Sequence, residues 1–114
     1  MMSVFAIKFS GLENLESALL DKARLDGVKT VVAKNGTRLQ QGATYYAPHD
    51  TGTLRRSIML QLEDGGLTAD VRATAHYAGY VELGTRYMAA QPYMKPAFNG
   101  VKKQFEADLR RLMR

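Results

Sequence analysis

The middle of this 114-residue chain constrains its fold most, because two alternating runs of apolar and polar residues flank Asp64-Gly65-Gly66. Before the turn, Leu54, Ile58, Leu60 and Leu62 fall mostly at even spacing, with Arg55, Ser57, Met59, Gln61 and Glu63 between them. After it, Ala69, Val71 and Ala73 alternate with Asp70, Arg72 and Thr74. Successive side chains of a strand point to opposite faces, so each run offers one face to a core and one to water. Together with the Gly-rich connection, the pattern predicts an antiparallel hairpin.

The flanks follow other periods. Phe5, Ile7 and Phe9 alternate with Ala6 and Lys8, predicting a half-buried strand over residues 3–10 that Gly11 ends. Leu12, Leu15, Leu19 and Ala23 then recur at helical spacing, with Glu13 and Glu16 in the first turn, where the helix dipole favours acids. After Asp26-Gly27 the helical period resumes through Val28, Val32, Asn35, Leu39, Ala43 and Tyr46, with a kink or break expected at Asn35-Gly36. Pro48 closes that helix. Residues 76–83 are expected to form a short helix capped by Gly84, and residues 85–91 a last strand or an extended loop. Pro92 and Pro96 flank the entry to a final helix with the stripe Phe98, Val101, Phe105, Leu109 and Leu112. Without alternating βα units the expected class is α+β: a small antiparallel sheet with a central hairpin, packed against a long N-terminal helix and a C-terminal helix, in one domain spanning residues 1–114.

Composition narrows the function. Apolar residues make up 46% of the chain, too many for a disordered segment. No apolar run reaches the roughly 20 residues of a membrane helix, and the first residues lack the pattern of a signal peptide. With no cysteine there is neither a disulfide framework nor a thiolate metal site. A protein of the reducing cytoplasm is expected, without a membrane partner. The net charge of +5 is uneven, because Lys95 to Arg114 holds six Lys/Arg against two acids. Lys102, Lys103, Arg110 and Arg111 lie opposite the apolar stripe of the last helix and are candidate DNA-facing residues. No aromatic residues interleave with them for base stacking, which favours a solvated face.

Catalytic readings fare poorly. Asp50-Thr51-Gly52 is formally the active-site triplet of aspartic proteases, whose chemistry needs two carboxylates sharing a proton on loops backed by apolar strands. Here the triplet follows Ala47-Pro48-His49 in a polar turn, and no later Ile-Gly element supports it. A turn with Asp50 accepting backbone amides is the better reading. His49, Asp50, His76 and Glu82 show no metal-ligand spacing. No cofactor, metal or enzymatic activity is expected. Glu82 stands among Tyr77, Tyr80, Val81 and Leu83, so it is either an exposed helix position or an ion-pair member with Arg55, Arg56 or Arg86 in this chain or a neighbour. On the second reading, Glu82→Ala spoils assembly and leaves the monomer folded. The six tyrosines suit core edges with wet hydroxyls and, in part, interface anchors.

Three blocks in order carry a resemblance: Pro48-x-Asp50-Thr51-Gly52-x-Leu54-x-x-Ser57-Ile58, then Tyr77-Ala78-x-Tyr80-Val81-Glu82-x-Gly84-Thr85, then Gln91-Pro92-Tyr93-Met94-x-Pro96-Ala97. Over Ala47 to Ala97 the chain resembles the head–tail joining, neck and tail-completion proteins of long-tailed bacteriophages, a group to which phage lambda's minor tail protein Z is related. The resemblance implies a structural protein of the virion's head–tail junction, assembled in the host cytoplasm, self-associating into a ring around the DNA channel. Its implied partners are other neck and tail proteins (head-closure, tail terminator or tail tube), with weak non-specific contact to packaged DNA. The matched positions, Asp50, Thr51, Gly52, Leu54, Tyr77, Glu82, Gly84, Thr85, Gln91 and Pro92, are interface candidates, and Arg86 joins them as a possible ion-pair partner. The alternative function is a small basic nucleic-acid-binding module using the C-terminal helix.

Overall fold

The computed structural model describes residues 5–11, 22–48 and 52–112. The predicted hairpin is present: β2 (Ile58–Glu63) and β3 (Thr68–Ala73) pair antiparallel with Ile58 opposite Ala73 and Glu63 opposite Thr68. Their connection is a 3-10 turn, Asp64–Gly66, in which Asp64, Gly65 and Gly66 all have positive φ, as the two glycines in sequence suggest. β1 (Phe5–Ser10) pairs antiparallel with the other edge of β3, giving the order β1-β3-β2. Phe5, Ile7 and Phe9 therefore share one sheet face with Ala69, Val71, Ala73, Ile58 and Leu60. On the opposite face, Lys8 reaches across to Glu63 at 3.2 Å and Asp70 at 3.9 Å, and Arg72 holds Asp70 at 2.9 Å.

One expected boundary moves. Leu54 and Arg55 belong to a short helix, α2 (Gly52–Arg56), and not to the strand, which starts only at Ile58. Even spacing from Leu54 to Leu62 also fits a helical turn followed by a strand. The switch falls at Ser57, whose amide bonds to Thr53 and Leu54 carbonyls and whose hydroxyl donates to Leu54 O at 2.7 Å.

Two long helices cover the apolar sheet face. α1 (Lys22–Tyr46) lies over β2 and β3, and α4 (Met94–Leu112) lies beside it, with Phe98 and Phe105 against Phe9 of β1. The predicted stripe of α4 holds, with Val101 and Leu109 buried. α1 runs without a break through Gly27 and Gly36, contrary to the kink or break expected at Asn35-Gly36. Each glycine costs about 1 kcal/mol of helix propensity relative to alanine, but each sits where a neighbour comes close. A Cβ at Gly36 would lie 2.9 Å from Leu60 and 3.2 Å from Ala69 on the sheet; at Gly27 and Gly42 it would meet Leu112 and Ala97 of α4 at 2.6 and 3.0 Å. The pairs Gly27–Leu112 and Gly42–Ala97 run in opposite directions along the two helices, so α1 and α4 pack antiparallel with small residues at both ends of their seam. Asn35, expected to weaken the helix, is fully buried. Its amide donates to Val31 O at 2.9 Å and to Asp108 Oδ2 at 3.1 Å, and Arg38 donates to its oxygen at 3.3 Å. A satisfied polar link of this kind fixes the helix register at its middle.

α1 ends at Tyr46, as the proline at position 48 requires. The short helix expected before Gly84 is α3 (Ala78–Leu83). Of the helical run expected from Leu12 to Ala23, Leu12, Leu15 and Leu19 lie outside the described residues and Ala23 is in α1. Among the described residues, no helix is long and apolar enough to cross a membrane.

Candidate functional site

The three sequence blocks meet at one end of the fold. A groove of about 340 Å³ is lined by Pro48 and, from α2, Thr53 and Leu54; by Tyr77 and Val81 of the α3 segment; and by Met88 and Gln91 of the following loop. Leu54 is buried, Tyr77 half-buried and Gln91 exposed. α2 is tied back to the end of α1 by Arg55, whose Nε donates to Thr44 O at 3.1 Å. The loop is tied to α3 by the Gln91 amide, which donates to Val81 O at 2.8 Å.

Glu82 organises this end, and in a way neither sequence reading anticipated. It is only 4% exposed. Its Oε1 accepts the amides of Tyr93 at 3.1 Å and Met94 at 2.8 Å, and its Oε2 accepts that of Lys95 at 3.1 Å. These are the first N–H groups of α4, which a helix cannot satisfy internally. The next residue, Pro96, has no N–H to satisfy. A carboxylate on one helix thus completes the start of another, where the dipole favours negative charge. Glu82 is not an exposed helix position, and within this chain its carboxylate is held by backbone amides and not by Arg55, Arg56 or Arg86. Because the carboxylate is internal and accepts three amides, Glu82→Ala is expected to act on the fold and not on assembly alone.

Tyr93 completes the latch. Fully buried, it donates its hydroxyl to Ala78 O at 3.0 Å. Burial first, then the adjoining Glu82 charge and Tyr77, push its phenol well above the ordinary tyrosine range. It is a core group, not a wet-hydroxyl edge residue. Spacing could not reveal the latch, since partners lie 11 to 13 residues from Glu82 across a loop. The signal available was the pair of prolines flanking Tyr93-Met94-Lys95, which marks a helix start in need of an acceptor.

Between α3 and α4 the chain makes a rigid knuckle. Gly84 has φ 78° and ψ 174°, and a Cβ there would lie 2.8 Å from Ala90 N, so only glycine fits. The Thr85 and Met88 backbones bond reciprocally at 2.8 and 3.2 Å, and the Thr85 hydroxyl accepts the Tyr87 amide at 3.1 Å. Residues 85–91 are thus a bonded turn and loop, not a strand. At its tip Arg86 stacks over the Tyr87 ring at 5.4 Å, and Tyr87 is 89% exposed. Leu83, Tyr80 and Met88 beside it are also exposed, as are Tyr45 and Tyr46 just before Pro48. A cluster of exposed large apolar and aromatic side chains around a preformed groove fits protein docking.

Of the predicted site residues, Gly52, Leu54, Tyr77, Glu82, Gly84, Thr85, Arg86, Gln91 and Pro92 are gathered at this end, and Pro92 is exposed. Asp50 and Thr51, with His49, lie outside the described residues. Among the described residues no cluster of His, Asp or Glu is placed to hold a metal ion. His76 packs edge-on against Tyr77 with ring centroids 5.3 Å apart. Lys102, Lys103, Arg110 and Arg111 are exposed on α4 and apart from the groove: Arg110 is about 24 Å along the helix from its capped start. The sequence did not single out Val81, Leu83, Tyr87 or Met88 as site residues.

No characterised protein and no solved structure matches the chain significantly. A family profile does match, over residues 12–84, most of the chain, with the first block and all of the second except Thr85. The chain therefore belongs to the HK97-gp10-like family, described as "Bacteriophage HK97-gp10, putative tail-component".

Proposed function

We propose that this phage tail-component protein acts in the connector region between head and tail. There it joins or completes the tail as one subunit of an oligomeric ring, docking onto neighbouring subunits and tail or neck proteins through the groove end. The observation that carries the reading is the convergence of the three sequence blocks on a preorganised groove, flanked by exposed Tyr80, Leu83, Tyr87 and Met88. A turn this thoroughly bonded loses little further entropy on association, which favours affinity. In this reading Thr85, Arg86, Gln91 and Pro92 contact the neighbour, Leu54 and Tyr77 form the groove wall, and Gly84 and Glu82 hold the presenting elements. Asp50 and Thr51 are kept as contact residues on the sequence resemblance alone.

The test is complementation of a phage lacking this gene by a Leu83→Asp, Tyr87→Asp double variant. Both side chains are largely in water, at 72% and 89% exposure, so the variant should melt within a few degrees of the parent. It should nevertheless yield unjoined heads and tails. Normal infectious particles would overturn the proposal.

A further inference from the structure

The molecule separates charge from apolar exposure. α1 and α4 together hold ten Lys/Arg and three acids, a net +7, whereas the whole chain carries +5, so everything outside these helices sums to −2. One of the three acids, Asp108, is buried and neutralised from within the layer. Asn35 and Gln104 donate to it at 3.1 and 2.7 Å, and Arg38 and Arg111 approach it at 3.7 and 3.8 Å. Lys34, Lys102, Lys103 and Arg110 are exposed. On α4, Lys95, Lys102, Lys103 and Arg110 recur at intervals of seven or eight residues, so they form a stripe with steps of about 10–12 Å along the side turned from the core. Glu106 also lies along that stripe.

The same layer is almost bare of exposed apolar groups. Among the described residues the exposed large hydrophobics are Tyr45, Tyr46, Met59, Leu62, Tyr80, Leu83, Tyr87 and Met88. Only Tyr45 and Tyr46 lie on either long helix, and they are the last two residues of α1. Specific protein interfaces centre on apolar and aromatic anchors. A surface with dense positive charge and no such anchor matches a phosphate backbone instead, where affinity comes from released counterions. Solubility alone does not require one sign of charge to collect on one layer.

We infer that the outer face of the α1–α4 layer is a sequence-independent binding surface for duplex DNA. It extends beyond the four C-terminal cations to Lys34 of α1, and it sets the subunit with its helices toward DNA and its sheet away. The inference does not depend on the docking role of the groove end, because it concerns the isolated chain.

The experiment is anisotropy of a labelled 30-base-pair duplex of arbitrary sequence, titrated with the full chain from 50 to 200 mM salt. Expected is dissociation in the micromolar range at low salt, the same for unrelated sequences, weakening steeply as salt rises. Replacing Lys102, Lys103 and Arg110 by Gln should lower the slope of log K against log salt by roughly 3. Arg111 stays, because it pairs with Asp108, and circular dichroism melts check that the variant folds. Replacing Arg55, Arg56 and Arg86 by Gln, at the groove end, should leave binding within twofold. Three outcomes would overturn the inference: no binding at 50 mM salt, equal loss from the groove-end variant, or tighter binding to an acidic polypeptide than to DNA.

Discussion

Replacing Glu82 probes the latch on which the groove end depends. Its carboxylate receives three amides at 2.8–3.1 Å, those of Tyr93 and Met94 through buried bonds and that of Lys95 through a partly buried one. In Glu82→Ala, two buried N–H groups lose their acceptor, at about 1–3 kcal/mol each. The favourable charge at the α4 N-terminus, about 0.3–2 kcal/mol, goes as well. Water can reach the amide of exposed Lys95, so the total expected is about 3–5 kcal/mol. Glu82→Gln keeps one carbonyl oxygen for Tyr93 and Met94 but turns an NH₂ toward the Lys95 amide and removes the charge, which should cost about 1–2 kcal/mol. Urea denaturation of the purified chain at neutral pH measures both, with an unchanged slope showing that the denatured state is not the cause. The reasoning fails if Glu82→Ala destabilises by less than 1 kcal/mol, or if the glutamine variant is as damaged as the alanine one.

Other expectations follow from the same packing. Burial pushes the Asp108 carboxyl up, but hydrogen bonds from Asn35 and Gln104 and the charges of Lys34 and Arg111 outweigh it and hold the group below the ordinary carboxylate range. Because the folded pKa is depressed, its stabilising contribution is full above the unfolded value, near 3.8, and fades as pH falls through the folded one. Asp108→Asn should therefore lose stability at neutral pH yet approach the parent in strong acid; a constant difference across a pH series would contradict this. Gly84→Ala forces a side chain into positive φ against Ala90 N and should cost about 2–3 kcal/mol in thermal melts, with a null effect excluding the locked turn. Gly27→Ala meets only the flexible end of Leu112, so the gain of about 1 kcal/mol in helix propensity should make it neutral or stabilising. Gly42→Ala meets the Ala97 Cβ and backbone, which cannot swing aside, and should destabilise; equal effects at the two glycines would refute the seam.

Patterns that repeat within one element were legible in the sequence. The hairpin around Asp64-Gly65-Gly66, the Phe5-Ile7-Phe9 strand and the Phe98-to-Leu112 stripe each declare a period, and the structure follows them. Relations between elements were not. Gly36 reads as a weak point because propensity counts its local cost, whereas the close approach of the sheet is tertiary. Leu54 fits both a strand and a helical turn, and only the Ser57 bonds decide. The sequence identified Glu82 as unusual, since a lone acid among aromatics needs a partner, but it suggested cations. The partners are backbone amides, whose one trace in the sequence is the pair Pro92 and Pro96 bracketing the helix start. The matched blocks were visible as separate motifs, and their convergence on one groove required the fold.

A photo-crosslinking residue at position 87, incorporated into assembled phage particles, tests the docking role most directly, with position 103 of the basic helix layer as the comparison. The account predicts adducts from position 87 to a second copy of the chain or to a tail or neck protein, and none of that kind from position 103. Particles that lack the chain, or that contain it without any protein adduct at position 87, would contradict it.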